Sequence, residues 1–265
     1  MRITALIYHD VLADRGADDS GFAGADALSY KLTETRFRHH LDLIRALPRM
    51  RGPTCLLPAV SDPSGNALVL TFDDGGVSAS TRILPTLRQY DWSAYFFVTT
   101  DLIGTPGFMA AQGLRELHAA GHVIGSHSAS HPARMSALSH ERICREWRDS
   151  RRRLEDLLGA PVTAASVPGG YYSRSVASAA AQVGMRLLFT SEPRRSVSEV
   201  DGMAVIGRFS VTQRTSDADI LSLASGRRGA ALRQRLAWDM KKIVKRFGGE
   251  TWLNARRRFF ELRRR

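Results

Sequence analysis

The sequence predicts an α/β fold: a (β/α) barrel of about seven strands, spanning residues 1–229, with a basic helical C-terminal tail over residues 230–265. Three observations predict it. Short β-rich runs alternate with longer helical patterns, most runs end in a polar or Gly-rich stretch, and the composition turns basic and aromatic from Ala230 onward. Alternating strands and helices imply parallel strands joined by right-handed crossovers, in a barrel or a doubly wound sheet. Seven candidate strands favour the barrel.

The first strand covers Ile3 to His9 and closes on Leu6-Ile-Tyr-His9. Asp10 to Tyr30, rich in Gly, Ala, Asp and Ser, reads as a long loop over one end of the fold, and Glu34 to Leu47 carry a helical pattern. Strands at Ala67 to Phe72, Ser93 to Val98 and His122 to Ser126 then alternate with helices at Val77 to Tyr90 and Ala110 to Ala120. Helix Ser139 to Leu158, strand Val162 to Val167, helix Arg174 to Val183 and strands Arg186 to Thr190 and Val205 to Phe209 complete the pattern. In both architectures functional side chains gather just past the C-terminal ends of the strands.

With 265 residues, 43% of them hydrophobic, the chain can bury a sizeable core. Cys55 and Cys144 lie far apart and have neither disulfide-scaffold nor thiolate-zinc spacing, so both read as reduced structural thiols. The first residues, MRITALIYHDV, lack the length and flanks of a secretory signal, and no segment reaches the ~18 apolar residues of a membrane span. A cytoplasmic protein is the expectation. Neither a Gly-x-Ser-x-Gly elbow nor a phosphate-binding Gly-Lys loop is present.

Two strand ends carry chemistry. Ala67-Leu-Val-Leu-Thr-Phe-Asp-Asp-Gly75 is an apolar strand ending in adjacent carboxylates. Crowded carboxylates repel, so one calls for a cation while the other can hold a proton, which suits a metal ligand beside a general base. The same residues also suit a plain turn. His122-Val-Ile-Gly-Ser-His-Ser-Ala-Ser-His-Pro132 ends in His127 and His131, whose spacing puts two imidazoles on one side of a single turn. Ser126, Ser128 and Ser130 leave room there and offer supporting hydrogen bonds. One Asp with two His is a mixed O/N set suited to a divalent metal, Zn2+ first and also Co2+, Ni2+, Mn2+ or Fe2+. It leaves positions open for water and substrate.

Thr71-Phe-Asp-Asp-Gly75, His127-Ser-Ala-Ser-His131 and Ser166-Val-Pro-Gly-Gly-Tyr171 resemble the first three motifs of the NodB-type polysaccharide deacetylases, carbohydrate esterase family 4. The resemblance covers roughly residues 1–215. It implies a distorted (β/α) barrel, and a metal-dependent hydrolase that removes acetyl groups from N-acetylated sugars. Asp73 would be the general base, Asp74, His127 and His131 the metal ligands, and the Gly169 N–H the oxyanion donor. Pro168, Gly170 and Tyr171 would line the substrate site.

Three departures from the family pattern stand out. Ser166 occupies the place of an Arg that partners the base, Thr190, Ser191 and Glu192 fall where an Asp is usual, and the late Leu-x-x-His motif falls at Ile206-Gly-Arg-Phe209. No histidine follows His140. His9, ending the first strand, is the candidate general acid in place of the late histidine, and Arg208 the candidate partner of Asp73. The substrate implied is an acetylated glycan or its lipid-linked precursor. An inactive sugar-binding relative, and a deacylase of a small amino sugar or nucleotide-linked sugar, remain alternatives.

Residues 230–265 hold 12 Lys and Arg against Asp239, Glu250 and Glu261, which is +9 of the chain's +12. Leu232, Leu236, Met240, Ile243, Val244 and Phe247 recur at helical spacing among these charges. A basic amphipathic helix of this kind suits the anionic inner face of a membrane. It equally suits a terminal helix packed on the barrel, and nucleic acid is the weaker candidate partner.

Overall fold

Successive side chains of a strand point to opposite faces of its sheet, and this period-two rule sorts the residues of the fold into layers. The computed structural model describes residues 2–47 and 66–240. Its elements begin β1 (Arg2–Tyr8), β2 (Val11–Leu12), α1 (Ala25–Leu28), β3 (Leu32–Thr33), α2 (Glu34–Arg45) and β4 (Asn66–Phe72). They continue through α3 (Leu84–Tyr90), β5 (Tyr95–Val98), α4 (Ala111–Ala119), β6 (Val123–Ser126), α5 (His140–Leu158), β7 (Ala164–Ser166) and α6 (Arg174–Gln182). The last are β8 (Leu187–Phe189), β9 (Val197–Val200), β10 (Met203–Ile206), β11 (Arg208–Ser210) and α7 (Asp217–Ala224).

The strands β1, β4, β5, β6, β7 and β8 are neighbours in that order and parallel throughout. A seventh, bent strand completes the circuit: β10 pairs in parallel with β8, and β11 pairs in parallel with β1. Only Gly207 separates the two halves, and a Cβ there would run into the Glu192 carbonyl and the Arg194 side chain. The sequence-predicted strand Val205 to Phe209 is this bent strand, longer than expected and broken at Gly207. The fold is thus the expected α/β barrel, its circuit carried round by the chain instead of by one continuous ladder.

Ile3, Ala5, Val69, Tyr95, Phe97, Ala164, Leu187, Phe189 and Ile206 fill the interior. Their strand neighbours face outward: Leu6, Tyr8, Leu70, Phe72 and Phe96 pack on Phe37, Leu41, Leu87 and Leu114, and Ala165, Leu188 and Val205 pack on Ile143, Trp147, Val176 and Ala180. Each fully buried large apolar side chain contributes about 1.5–3 kcal/mol. Continued toward the C-terminal ends, the inward alternation passes from Val69 to Thr71 and Asp73, from Ala164 to Ser166, and from Ile206 to Arg208. The apolar interior therefore carries a polar layer at its top.

The helices start where side chains satisfy their free N–H groups: Thr33, Ser139, Ser173 and Ser216 accept the capping bonds of α2, α5, α6 and α7. The predicted helix Val77 to Tyr90 opens with a π-helical turn at Ala79–Ile83 before α3. Pro85 lacks the N–H that a regular α turn needs there. The short β2, β3 and α1 lie within or beside the expected long loop, and β9 runs antiparallel to β10. The expected boundary at Ala230 falls inside a helical stretch, 228–240, with Ala230 buried against the core. The rest of the tail, 241–265, and Cys55 lie outside the described residues. Cys144 is a buried free thiol. No described helix is long and apolar enough to cross a membrane.

Candidate metal centre

The turn after β4 delivers two carboxylates with different surroundings. Asp73 is buried and receives the guanidinium of Arg208 as a fork, Nη1 to Oδ1 at 2.7 Å and Nη2 to Oδ2 at 2.8 Å. Arg208 is 0% exposed and has every arm engaged: Nη1 also donates to Thr71 Oγ1, Nη2 to Ser166 Oγ at 2.6 Å, and Nε to the Thr190 carbonyl. Its guanidinium lies 5.6 Å from the Phe97 ring centroid and 5.9 Å from that of Phe189. Ser166 donates to Asp73 Oδ2 at 3.2 Å. Where a large cation would fill the end of β7, the small Ser166 leaves space for one arriving from β11. Burial alone would raise the pKa of Asp73. The charge and hydrogen bonds of Arg208, with the His127 and His9 side chains nearby, outweigh it and hold the carboxyl below its ordinary range.

Asp74 turns the other way. Its φ of 76° is left-handed, and Oδ1 lies 3.4 Å from His127 Nε2 and 3.6 Å from His131 Nε2. One ligand atom from each of the three residues lies within 4.8 Å of the others. His127 Nδ1 donates to the Ser166 carbonyl at 2.9 Å, which leaves Nε2 a bare acceptor facing Asp74. Acceptors converging on one point without a donor repel one another unless a cation lies between them, and this fits a divalent metal. Burial, joined by the charge of His127, pushes the pKa of His131 down to about 4, so its ring is a neutral ligand at physiological pH. Burial raises that of Asp74, but the His127, His9 and His131 side chains around it outweigh burial and hold it well below normal.

The 127–131 turn is held from outside the strand. His131 N–H donates to Ser128 Oγ, Ser128 N–H to Ser126 Oγ, and Ser126 Oγ to Ser150 Oγ of α5. Glu146, also on α5, accepts from the Ala129 and Ser130 N–H groups and the Ser130 hydroxyl. Ser128 at φ 68° and His131 at φ 54° join Asp74 in left-handed backbone. Strain of this kind persists only where the surroundings over-determine it, as these bonds do. The serines follow from the motif, but Glu146 and Ser150 carry no sequence signal because α5 meets the turn only in three dimensions.

His9 extends the inward alternation of β1 beyond its end. Its ring stands 5.0 Å from that of Tyr30, and it lies close enough to Asp73 and Asp74 to help lower the pKa of both. Nδ1 of His9 is buried with no hydrogen-bond partner among the described residues. Pro168 is buried, Gly169 is exposed at φ 61°, and Arg134 lies over the Tyr171 ring at 5.3 Å. Trp238, from the 228–240 helix, packs where a Cβ on Gly170 would point. Gln234 of the same helix bonds both the N–H and the carbonyl of Ser210, capping the end of β11.

Comparison with known proteins meets this geometry. Residues 61–188 match the sequence model of the polysaccharide deacetylases. A putative polysaccharide deacetylase of Bacillus subtilis, YxkH, is 27% identical over 150 residues, covering 57% of this chain and 53% of its own. The chain spans about half the length of the first curated relatives it matches. Among solved structures, the Streptococcus pyogenes deacetylase PplD in complex with acetate superposes with a TM-score of 0.69 at 20% identity, covering 84% of this chain and 98% of its own. IcaB from Ammonifex degensii gives 0.68 at 20% identity, covering 84% and 97%. These structures share the fold, and the segment 61–188, which includes Asp73, Asp74, His127 and His131, is the part of the chain that matches the polysaccharide deacetylases.

Proposed function

We propose that this chain hydrolyses the acetamide of an N-acetylated sugar, in a polysaccharide or its lipid-linked precursor. The observation that carries this reading is the division of labour between adjacent carboxylates, Asp73 committed to Arg208 and Asp74 to two imidazoles. The match of residues 61–188 to the polysaccharide deacetylases supports the reaction class.

Asp74, His127 and His131 would hold a divalent cation, Zn2+ by preference for this O/N set. When bound, such a cation supplies Lewis acidity toward the acetamide carbonyl and the attacking water. Asp73 takes the water proton, kept ionised and oriented by the Arg208 fork. The Gly169 N–H donates to the developing oxyanion. His9 hands a proton to the departing amine, a role its position beside both carboxylates supports. Pro168, Gly170 and Tyr171 border the sugar.

Loss of the late histidine, with Arg208 buried in its region, favours a second reading in which sugar is bound with little turnover. Acetate release from N-acetylglucosamine oligomers, measured beside metal content, separates the two. Metal with acetate release supports hydrolysis, and sugar binding without release supports the second reading.

The C-terminal segment supports docking on an anionic bilayer at the cytoplasmic face. Leu232, Leu236 and Met240 are 54%, 56% and 66% exposed along one line of the 228–240 helix. Residues 241–265 add ten Lys and Arg against Glu250 and Glu261. Since Trp238 of that helix meets Gly170, the docked surface would bring a lipid-linked glycan to the metal centre. Sedimentation of the full chain with anionic vesicles, reversed by salt, is the expected result. Equal sedimentation with neutral vesicles contradicts docking by charge.

A further inference from the structure

The chemistry above leaves one ring at the metal centre without a task. Phe22 stands 4.8 Å, centroid to centroid, from the ligand His131 and 5.2 Å from Phe108, and both phenylalanines are half-buried. Phe22 arrives on the 13–24 loop between β2 and α1, where it is the one large apolar residue in Ala13-Asp-Arg-Gly-Ala-Asp-Asp-Ser-Gly-Phe-Ala-Gly24.

Such a loop has no apolar core of its own, yet buried polar bonds fix it. Asp10, 3% exposed, accepts the hydroxyls of Ser20 and Ser78, and Ser20 Oγ accepts the Ser78 N–H at 2.8 Å. Lys31, 2% exposed, donates to the Ser20 carbonyl and to Asp18. The neighbouring Gly21 N–H donates to Gly107 O at 2.8 Å, joining the loop to the turn that carries Phe108. That turn is tied in turn to the residue after Asp74 by Met109 N–H to Gly75 O at 3.0 Å. At Gly21 and at Gly76 a Cβ would collide with the Asp10 carboxylate, so the loop sits directly on the turn that holds the metal ligand.

Burying Asp10 and Lys31 opposes folding unless both are bonded, as they are here. What this buried network positions is the Phe22 ring, half-open beside His131. A flat apolar face next to a site for sugars matches the C–H face of a pyranose ring, as aromatic side chains do when they fix a ligand's orientation in a pocket. We propose that Phe22, latched by Asp10, Ser20 and Ser78, is a stacking wall for the sugar bearing the scissile acetamide, which makes the 13–24 loop the specificity element of the site. The inference rests on the deacetylase reading.

Phe22→Ala and Phe22→Leu are compared with Phe22→Tyr, all as the full chain with bound metal and an N-acetylglucosamine oligomer as substrate. Leu keeps an apolar cover on His131 without the flat face, so it separates stacking from packing. The expected result is a KM about ten-fold higher for Ala and for Leu, the size of one aromatic contact, with a smaller change in kcat, unchanged metal content and near wild-type behaviour of Tyr. Wild-type KM in the Leu variant, or loss of metal from both Ala and Leu, overturns the proposal in favour of packing around His131. Should wild type release no acetate, it is the deacetylase reading that fails. Calorimetric binding of the same oligomer then decides the stacking, and equal Kd for wild type and Phe22→Leu overturns it.

Discussion

Arg208 and Asp73, 135 residues apart in sequence, meet through two parallel hydrogen bonds of 2.7 and 2.8 Å inside the barrel. Bidentate pairing of this kind fixes the carboxylate plane as well as its charge. Arg208→Ala leaves Asp73 buried and unpaired, so a stability loss of about 3–5 kcal/mol is expected in chemical denaturation. The double variant Asp73→Asn with Arg208→Met should recover much of that stability while remaining inactive. A stable Arg208→Ala protein with normal acetate release would show that the fork serves neither purpose.

Glu146 holds the metal-ligand turn through three hydrogen bonds, to the Ala129 and Ser130 N–H groups and the Ser130 hydroxyl. Groups that orient ligands in this way typically contribute a 10- to 100-fold factor in metal affinity. Glu146→Ala is therefore expected to weaken metal binding by about that factor, read by competition with a chelator. Unchanged affinity would mean that the turn holds its left-handed backbone without α5.

His40 and His122 bear on acid stability. Burial, with Arg36 adding to it at His40 and Arg88 at His122, pushes both down to about 4. His122 Nδ1 accepts the Ala94 N–H, and neither His40 nitrogen has a partner among the described residues, so both are folded neutral. An unfolded histidine titrates near ~6.5, so between about pH 6.5 and 4 the unfolded chain binds protons that the folded chain does not. Stability then falls as pH drops through that window. Thermal melts of metal-free protein should show the fall, and His40→Leu should show a shallower one. Identical slopes would remove His40 from the account.

His9 is expected to act in proton transfer. His9→Gln should lower kcat by about 10²–10⁴ while metal content stays constant, as measured by acetate release and elemental analysis. Full activity in this variant would move the acid role elsewhere.

The barrel is legible in the sequence because its strands are short apolar runs separated by capped helices. Asp73, Asp74, His127 and His131 are legible because two strand ends concentrate acids and histidines within a few residues of one another. Arg208 is legible only as a displaced partner: the pattern shows Ser166 where an arginine is usual and an arginine late in the chain. That Arg208 reaches Ser166 and Asp73 depends on β7 and β11 opening onto the same interior. Glu146, Ser150 and the Asp10–Lys31 latch join residues distant in sequence and follow no period. The break at Gly207 and the two-residue strands β2 and β3 are too short to leave a periodic signal.

The most direct measurement is metal content and acetate release in Asp73→Asn beside Asp74→Asn. If the two carboxylates divide base from ligand, Asp73→Asn retains metal and loses acetate release by about 10²–10⁴, whereas Asp74→Asn loses the metal itself. Loss of metal from Asp73→Asn, or acetate release at the wild-type rate with Asn in its place, would contradict that division.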